Sequence, residues 1–459
     1  MIKKLKALLQ LDSKEMTKLL SLALGYFFII GSYSVLRSLK TPIFMGFVGK
    51  EWQPASRFIT LFSLIPCMFF YSKLVDRFKR HQLVYVVIGA CFALSFTFAL
   101  FFAHPAYGIK NTITTPYRLL GWAFEVFMDV YSALVITTYW SFVNSICTPE
   151  FAGKGYGIIV AISRIGGIAT TTFALLFSTY SGFEKHTSIP LLALLGSLCL
   201  IGTILCVRNV IKKVPEDYLH GYEAAYQLEQ KKEKSSKKTG IFEGINLMIK
   251  EPYVLGIFAF TFCMENIATI FDYQFNVLLS VAKNNQIGDM STYMFAFTAT
   301  FQVLGLILAL FGTTTLIKKI GIRRCLMVMP LAMIALTTTI FLSPKLITMT
   351  IIMIVLRALN YGFNYPIREM LYIPTVKDIQ FKSKAWIESF GKPLSKASGS
   401  TLNWISITQS SFVSPIVFIR LNCLFSFGLA SIYTVVAYLL GKKHVKTIER
   451  NEVIGNANS

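Results

Sequence analysis

Ionisable side chains stand inside long apolar runs of this sequence, where chemistry would be least expected by chance. They are Glu125 and Asp129, Arg164, Glu265 and Asp272, Arg357 and Arg420, with Arg37, Lys40, Lys392 and Lys396 at the run edges. Each such group costs about 2.5–3.5 kcal/mol to place within a bilayer, so each should face a cavity or a partner. Glu125 and Asp129 are four residues apart and share one helix face. Glu265 and Asp272 are seven apart, again roughly one face. A cavity offering several cations beside carboxylates suits a charged solute with several groups better than a sugar or a lipid tail. The other reading is internal ion pairs that merely hold helices together. A purely structural core would be cheaper without charge, which weighs against that reading for the whole set. Arg420 and Glu265 are the peripheral members, Glu265 because a helix could break there.

Covalent chemistry has no comparable signal. There is no GxxxxGK[ST] string, and the nearest, FAGKGYG at 151–157, has the wrong spacing and follows a helix. No nucleophile elbow or HExxH is found. The Cys residues are scattered through apolar runs (Cys91, Cys199, Cys206, Cys263, Cys423) and read as small core groups. The His residues (His81, His104, His186, His220, His444) show no ligand spacing and most fall in expected loops. The sequence therefore predicts no enzyme, no metal and no cofactor. Phosphates, if handled, would be bound and moved. Some of the abundant Phe and Tyr could stack a base, but no pattern picks them out.

The elements that must position these residues are membrane helices. Charged residues are only 15% of the chain, against about 25% in soluble proteins, and mean hydropathy is +0.57, so the chain reads as a polytopic membrane protein. Apolar runs of spanning length lie near 18–36, 58–75, 82–103, 119–147, 157–180, 189–208, 253–280, 292–317, 325–343, 346–364, 389–412 and 415–440. The run at 389–412 is the most polar. Lys and Arg concentrate in the N-terminus, the alternate loops and the C-terminus, which places both termini in the cytoplasm. Much of the +22 net charge is topology of this kind, and no nucleic-acid partner is implied. The first run lacks an A-x-A cleavage site and reads as a retained helix.

The longest break, 209–252, contains EQKKEKSSKKTG and reads as a basic cytoplasmic linker, or as a contact with the lipid surface. It divides the chain into a cytoplasmic N-terminus (1–17), a first six-helix bundle (18–208), the linker, a second six-helix bundle (253–440) and a cytoplasmic tail (441–459). SKLVDRFKRHQLVYV after the second span echoes TTLIKKIGIRRCLMV after the eighth. Two pseudo-equivalent halves suggest a transporter with its site near the midplane. The DRFKR turn also resembles a loop signature of the major facilitator superfamily. The expected fold is all-α, twelve transmembrane helices in two six-helix halves, major-facilitator-like.

Three segments carry a more specific resemblance: SYSVLRSLKT at 32–41, YVLGIFAFTFCMENIATIFDYQFN at 253–276, and YPIREMLYIPTVKDIQFKSKAWIESFGKPLSKASGS at 365–400. With span order and YWSFVNS at 139–145, the chain resembles the nucleotide transporter family, the ATP/ADP translocases of obligate intracellular bacteria and plastids. The resemblance covers most of the chain, and 365–400 is its most specific part. It implies exchange of nucleotides by alternating access without a cofactor; some relatives import other nucleotides with protons or carry NAD. Arg37 and Lys40 match the family's basic pair at the end of its first span. Asp129 matches an acidic position of its fourth span, and Asp272 a glutamate of its seventh. Lys384 matches the K-x-K-A lysine, and Lys396 the lysine of L-G-K-S-G-G.

The departures are as specific. Ser38 and Thr41 stand where the family has acids, Asn276 where it has a lysine, and LSKASG replaces L-G-K-S-G-G. The expected phosphate ligands are Arg37, Lys40 and Lys396, with Lys384, Arg164 and Arg357 as further candidates. Asp129 and Asp272 would pair with the lysines or bind a coupling proton. The SKASGST string at 395–401 would serve close backbone packing, or bring N–H groups to an anion. ATP/ADP exchange leads; proton-driven import of another nucleotide, NAD or organic anion is the alternative, and a non-transporting receptor or scaffold a third class. Partners are then nucleotides and the lipid bilayer. The short N-terminus fits a bacterial inner membrane.

Overall fold

The computed structural model describes residues 12–215, 218–219, 248–308, 313–376, 379, 383–408, 415–450 and 452–455. Most of the basic linker, the first eleven residues and the last four lie outside the described residues. The helices are α1 (Ser13–Phe47), α2 (Gln53–Arg77), α3 (Arg80–Ala103), α4 (Leu119–Ile146), α5 (Pro149–Tyr180) and α6 (Lys185–Lys213). After the linker come α7 (Pro252–Ala282), α8 (Ile287–Ile307), α9 (Thr313–Leu342), α10 (Leu346–Leu359), α11 (Lys392–Thr408) and α12 (Pro415–Glu449). Apart from α11 they are apolar on nearly every face, the pattern of helices that meet lipid or protein all round.

Each expected span overlaps a helix, and among the described residues eleven helical stretches are long and apolar enough to cross a membrane, α10 counting together with the turns that carry it on to Met370. The remaining one, α11, is shorter and carries Ser395, Ser398, Ser400, Thr401 and Asn403. Its approach is irregular: a turn at Lys384–Trp386, then a π turn at Ile387–Gly391. A second π turn, Asn360–Asn364, follows α10, and helix resumes over Tyr365–Met370. Single π turns inside helices are frequent at functional sites. Gly321, at φ 76°, breaks α9 near its start.

The chain forms two compact units. Unit 1 comprises residues 1–48, 63–238 and 286–299, and unit 2 comprises 49–62, 239–285 and 300–459. In unit 1, α1 packs against α5, α6 and α4; in unit 2, α7 packs against α11, α12 and α10. These first helices have the most buried central windows, 61% each, so each is the axle of its unit. At Gly166 a Cβ would lie 2.4 Å from the Phe27 carbonyl, so α5 meets α1 where no side chain fits. Between α3 and α4, the Arg118 guanidinium donates to the carbonyls of Tyr107, Gly108, Asn111 and Ile113 at 2.8–3.0 Å. That loop sets the start of α4, the helix of Glu125 and Asp129.

Each unit also ties the beginning of its first helix to two other chain segments. In unit 1, Asp12 and Glu15 form a capping box at the start of α1. Lys18, 3% exposed, donates to the carbonyl of Ile146, the last residue of α4, and to that of Tyr218 beyond α6 at 2.8 Å. A cation at a helix C-terminus meets carbonyls that have no partner within the helix. In unit 2, Tyr253 at the start of α7 donates to Leu371 O just past the helix that extends α10, at 2.8 Å. Its hydroxyl is also 3.0 Å from His444 Nδ1 near the end of α12. His444 is thus buried in a helix instead of in a loop. Beyond α12, Ile454 pairs with Pro374 and Val376 through backbone hydrogen bonds of 2.9 and 3.0 Å. In both units the start of the first helix is tied to the end of the fourth and to the end of the sixth or the chain just beyond it, on different side chains.

Lys18→Met strands the buried carbonyl of Ile146, a loss worth about 1–3 kcal/mol, and frees the Tyr218 carbonyl, which water can reach. The expected outcome is a melting temperature several degrees lower in detergent with an unchanged transport KM. Lys18 lies roughly 33 Å along α1 from Lys40, at 1.5 Å per residue. An unchanged melting temperature would show that the clasp contributes nothing.

Candidate functional site

In unit 1 the charges converge on Lys40. Its ammonium is 2.7 Å from Asp129 Oδ1 and 3.1 Å from Glu125 Oε1. Lys40 is 4% and Glu125 1% exposed, while Asp129 is half-buried. The four-residue spacing on α4 turns both carboxylates toward one ammonium on α1. Buried charge persists when it is paired and costs most when one partner is removed. One turn away, Arg37 donates to the Tyr33 hydroxyl at 2.7 Å. Arg164, half-buried on α5, lies close enough to Tyr26 of α1 to interact electrostatically. Ser38, where the resemblance leads one to expect an acid, is neutral and buried; its hydroxyl bonds Ser34 O at 2.8 Å and Thr298 Oγ1 at 2.9 Å.

The YWSFVNS stretch contributes packing. Tyr139 stacks on Tyr26 with centroids 5.5 Å apart, and its hydroxyl donates to Leu22 O at 2.5 Å. Trp140 meets Tyr26 and Tyr156 edge-on.

Unit 2 holds two charge groups at different depths of α7. At Asp272, the Arg357 Nη2 is 2.6 Å from Oδ1. Arg357 also lies 5.8 Å from the Phe301 ring, which stacks on Tyr361. Asp272 borders a small cavity shared with Thr269, Tyr273, Ser400, Asn403, Gln53, Pro54 and Arg57. About two turns along α7, Glu265 is 3.9 Å from Lys396. Near it Arg368, 2% exposed, bonds Glu388 at 3.0 Å, and Glu388 also takes Lys392. Lys384 pairs with Glu369. The two π turns flank this group: one carries Glu388, the other precedes Arg368.

The expected site residues therefore divide by unit: Arg37, Lys40, Asp129 and Arg164 in unit 1, Asp272, Arg357, Lys384 and Lys396 in unit 2. Asp129 takes a lysine, as expected, whereas Asp272 takes an arginine. α7 runs unbroken through Glu265, so the helix break that could have accounted for this residue is not there, and its carboxylate lies 3.9 Å from Lys396 of α11. Arg420 is exposed and lies 5.8 Å from the Phe341 ring, so it faces outward instead of into a cavity. At Gly399 a Cβ would come within 2.8 Å of Asn266 O, and the 395–401 string lies inside α11, which favours the close-packing reading over the anion one. Among the described residues no cluster of three or more His, Cys, Asp or Glu has metal-binding geometry.

Arg368, Glu369 and Glu388 belong to the charge group but not to the sequence-derived set. Glu388 and Lys392 at i,i+4 were the available signal. The density of charge over 365–388 made that stretch read as a loop.

The family model described as the TLC ATP/ADP transporter matches residues 1–363. The chain belongs to the TLC ATP/ADP transporter family. Similar relatives include "ADP,ATP carrier protein 3" of Rickettsia bellii (strain RML369-C), 22% identical, with 89% of this chain and 91% of the relative covered. Another is "ADP,ATP carrier protein 1" of Rickettsia prowazekii (strain Madrid E), 23% identical with 96% of both covered. Among solved structures, a POT family transporter in complex with 5-aminolevulinic acid aligns at TM-score 0.61 and 11% identity, covering 92% of this chain and 96% of that one. A D-xylose–proton symporter aligns at TM-score 0.58 and 14% identity, with 95% and 98% covered. The TLC member thus has a major-facilitator-like fold and is a divergent, multi-pass membrane transporter. Family membership removes the receptor or scaffold reading, and it gives no support to an enzymatic one.

Proposed function

We propose that this protein exchanges adenine nucleotides, ATP against ADP, across a bacterial inner membrane with both termini in the cytoplasm. The observation that carries the reading is the buried Lys40 held between Glu125 and Asp129 in a chain of this family. A nucleotide brings several negative charges that must be met without a metal. The candidate phosphate ligands are Arg37, Lys40 and Arg164 within unit 1 and, taken separately, Arg357, Lys384 and Lys396 within unit 2. Arginine grips phosphate oxygens in bidentate fashion and lysine acts as a point charge.

Asp129 and Asp272 hold Lys40 and Arg357 whenever phosphate does not. A phosphate that takes the ammonium releases a carboxylate, so substrate and carboxylate compete for one cation. The names of the relatives, ADP,ATP carriers that cover nine-tenths of this chain, favour exchange over proton symport.

The test is uptake of labelled ATP by intact cells expressing the protein, with and without internal ADP. Saturable uptake stimulated by internal ADP supports exchange. Uptake that ignores internal ADP and follows an imposed proton gradient would move the assignment to symport. Absence of ATP uptake from correctly inserted protein would overturn ATP as the substrate and send the search to other nucleotides, NAD and organic anions.

A further inference from the structure

Tyr33, Arg37 and Lys40 stand at i, i+4 and i+7 on α1, one stripe of a single helix. At 1.5 Å per residue, the arginine lies about 6 Å and the lysine about 10 Å along the axis from the tyrosine. That is the order in which a nucleotide presents its base, its first phosphate and its outer phosphates, and the spacing is of the right size. We propose that α1 carries a base-to-phosphate ruler, in which the Tyr33 ring stacks the nucleobase and Arg37 and Lys40 take successive phosphates. The inference rests on the nucleotide reading above and adds the residue that meets the base.

Tyr131 and Arg37 hold the Tyr33 ring in place. Tyr131, fully buried on α4, lies parallel to it at 4° with centroids 6.2 Å apart. The Tyr131 hydroxyl is in turn bonded to Ser32 at 3.0 Å. The Tyr33 hydroxyl accepts from Arg37 at 2.7 Å, and the guanidinium carbon is 5.6 Å from the ring centroid. Tyr33 itself is only half-buried, so a ring oriented by its neighbours keeps exposed surface beside the Arg37 guanidinium. A preoriented ring loses little freedom when a second ring stacks on it.

The other aromatic side chains near the stripe serve less well. Tyr26 and Tyr139 are 8% and 0% exposed and stack on each other. Trp140 is half-buried but meets two tyrosines edge-on, and it lies eleven residues from Asp129 on α4, about 16 Å along the axis. Base–aromatic stacking accepts any base because every base has a π face. The ruler therefore rewards the presence of a base more than its identity.

The test is competition against labelled ATP uptake by unlabelled ATP and by ribose 5-triphosphate, which lacks only the base. In the wild type ATP is expected to compete about tenfold better, the typical value of one stacked base. In Tyr33→Leu the two competitors should fall within about twofold of each other, and the KM for ATP should rise about tenfold. Tyr33→Trp should keep the gap. If Tyr33→Leu keeps the wild-type gap, or if the gap collapses in Trp140→Leu instead, the ruler is overturned. Should Tyr33→Leu fail to reach the membrane, Tyr33→Phe decides: a retained gap supports the ring's role, and a lost gap overturns it. Wild-type protein that takes up no nucleotide fails the underlying reading before any Tyr33 variant is compared.

Discussion

Lys40→Met is expected to cut ATP uptake by about a hundredfold or more and to reduce the amount of folded protein. Removing one partner from a buried ion pair costs about 3–5 kcal/mol, and 1.4 kcal/mol is about tenfold in an equilibrium. Here the removal leaves Glu125, 1% exposed, and Asp129 together without their shared ammonium. Two effects are then mixed, misfolding and loss of phosphate binding, and a compensated variant separates them. Lys40→Met combined with Glu125→Gln and Asp129→Asn removes all three charges. It should recover the melting temperature and the yield in the membrane while uptake stays at background. Uptake normalised to inserted protein, beside a thermal-unfolding curve, makes the comparison. If the uncharged triple variant transports at the wild-type rate, the cluster only holds α1 to α4, and the phosphate assignment of Lys40 fails.

Much of this arrangement was legible in the sequence, for reasons that differ by residue. The helices could be read because lipid demands about 20 apolar residues in a row, and composition alone records that. α11 was the hardest because its Ser, Thr and Asn face protein, with Gly399 against the Asn266 carbonyl. Lys40 and Asp129 emerged from charge in an apolar run joined to a family motif. Their third partner, Glu125, followed from the i,i+4 rule but was set aside from the site. The partners of Glu265 and Asp272 could not be read. Seven residues leave them near one face of α7, yet one meets Lys396 and the other Arg357, and no spacing within α7 encodes that divergence. The π turns were invisible too, since an i→i+5 turn has no composition of its own. Arg420, peripheral already in the sequence, faces outward, as a long guanidinium side chain in an apolar run can when it extends along the protein surface.

The second large effect concerns Arg357, and it should differ in kind from that of Lys40. The side chains of Arg357 and Asp272 are 15% and 27% exposed, against 5% and 1% for Lys40 and Glu125. Partial access to water lowers the cost of an unpaired charge, so Arg357→Met should destabilise the protein less than Lys40→Met does. Uptake should nevertheless fall by about a hundredfold if the guanidinium holds phosphate, since hydrogen bonds to charged groups are worth about 1.5–3 kcal/mol each and arginine makes two. The exchange Asp272→Arg with Arg357→Asp keeps the pair and reverses its direction. It should restore the melting temperature and leave uptake lost, because the guanidinium would then project from α7 instead of α10. Restored uptake in the exchanged variant would show that only the pairing matters and would remove Arg357 from the binding set. Arg368 supplies the contrast on the same segment. It is 2% exposed and held by Glu388, so Arg368→Met should lower stability by about 3–5 kcal/mol, with uptake falling in step with the folded fraction. An Arg357 variant that loses uptake while remaining folded, beside an Arg368 variant that loses both together, would distinguish a cation that meets substrate from one that shapes the helix carrying it.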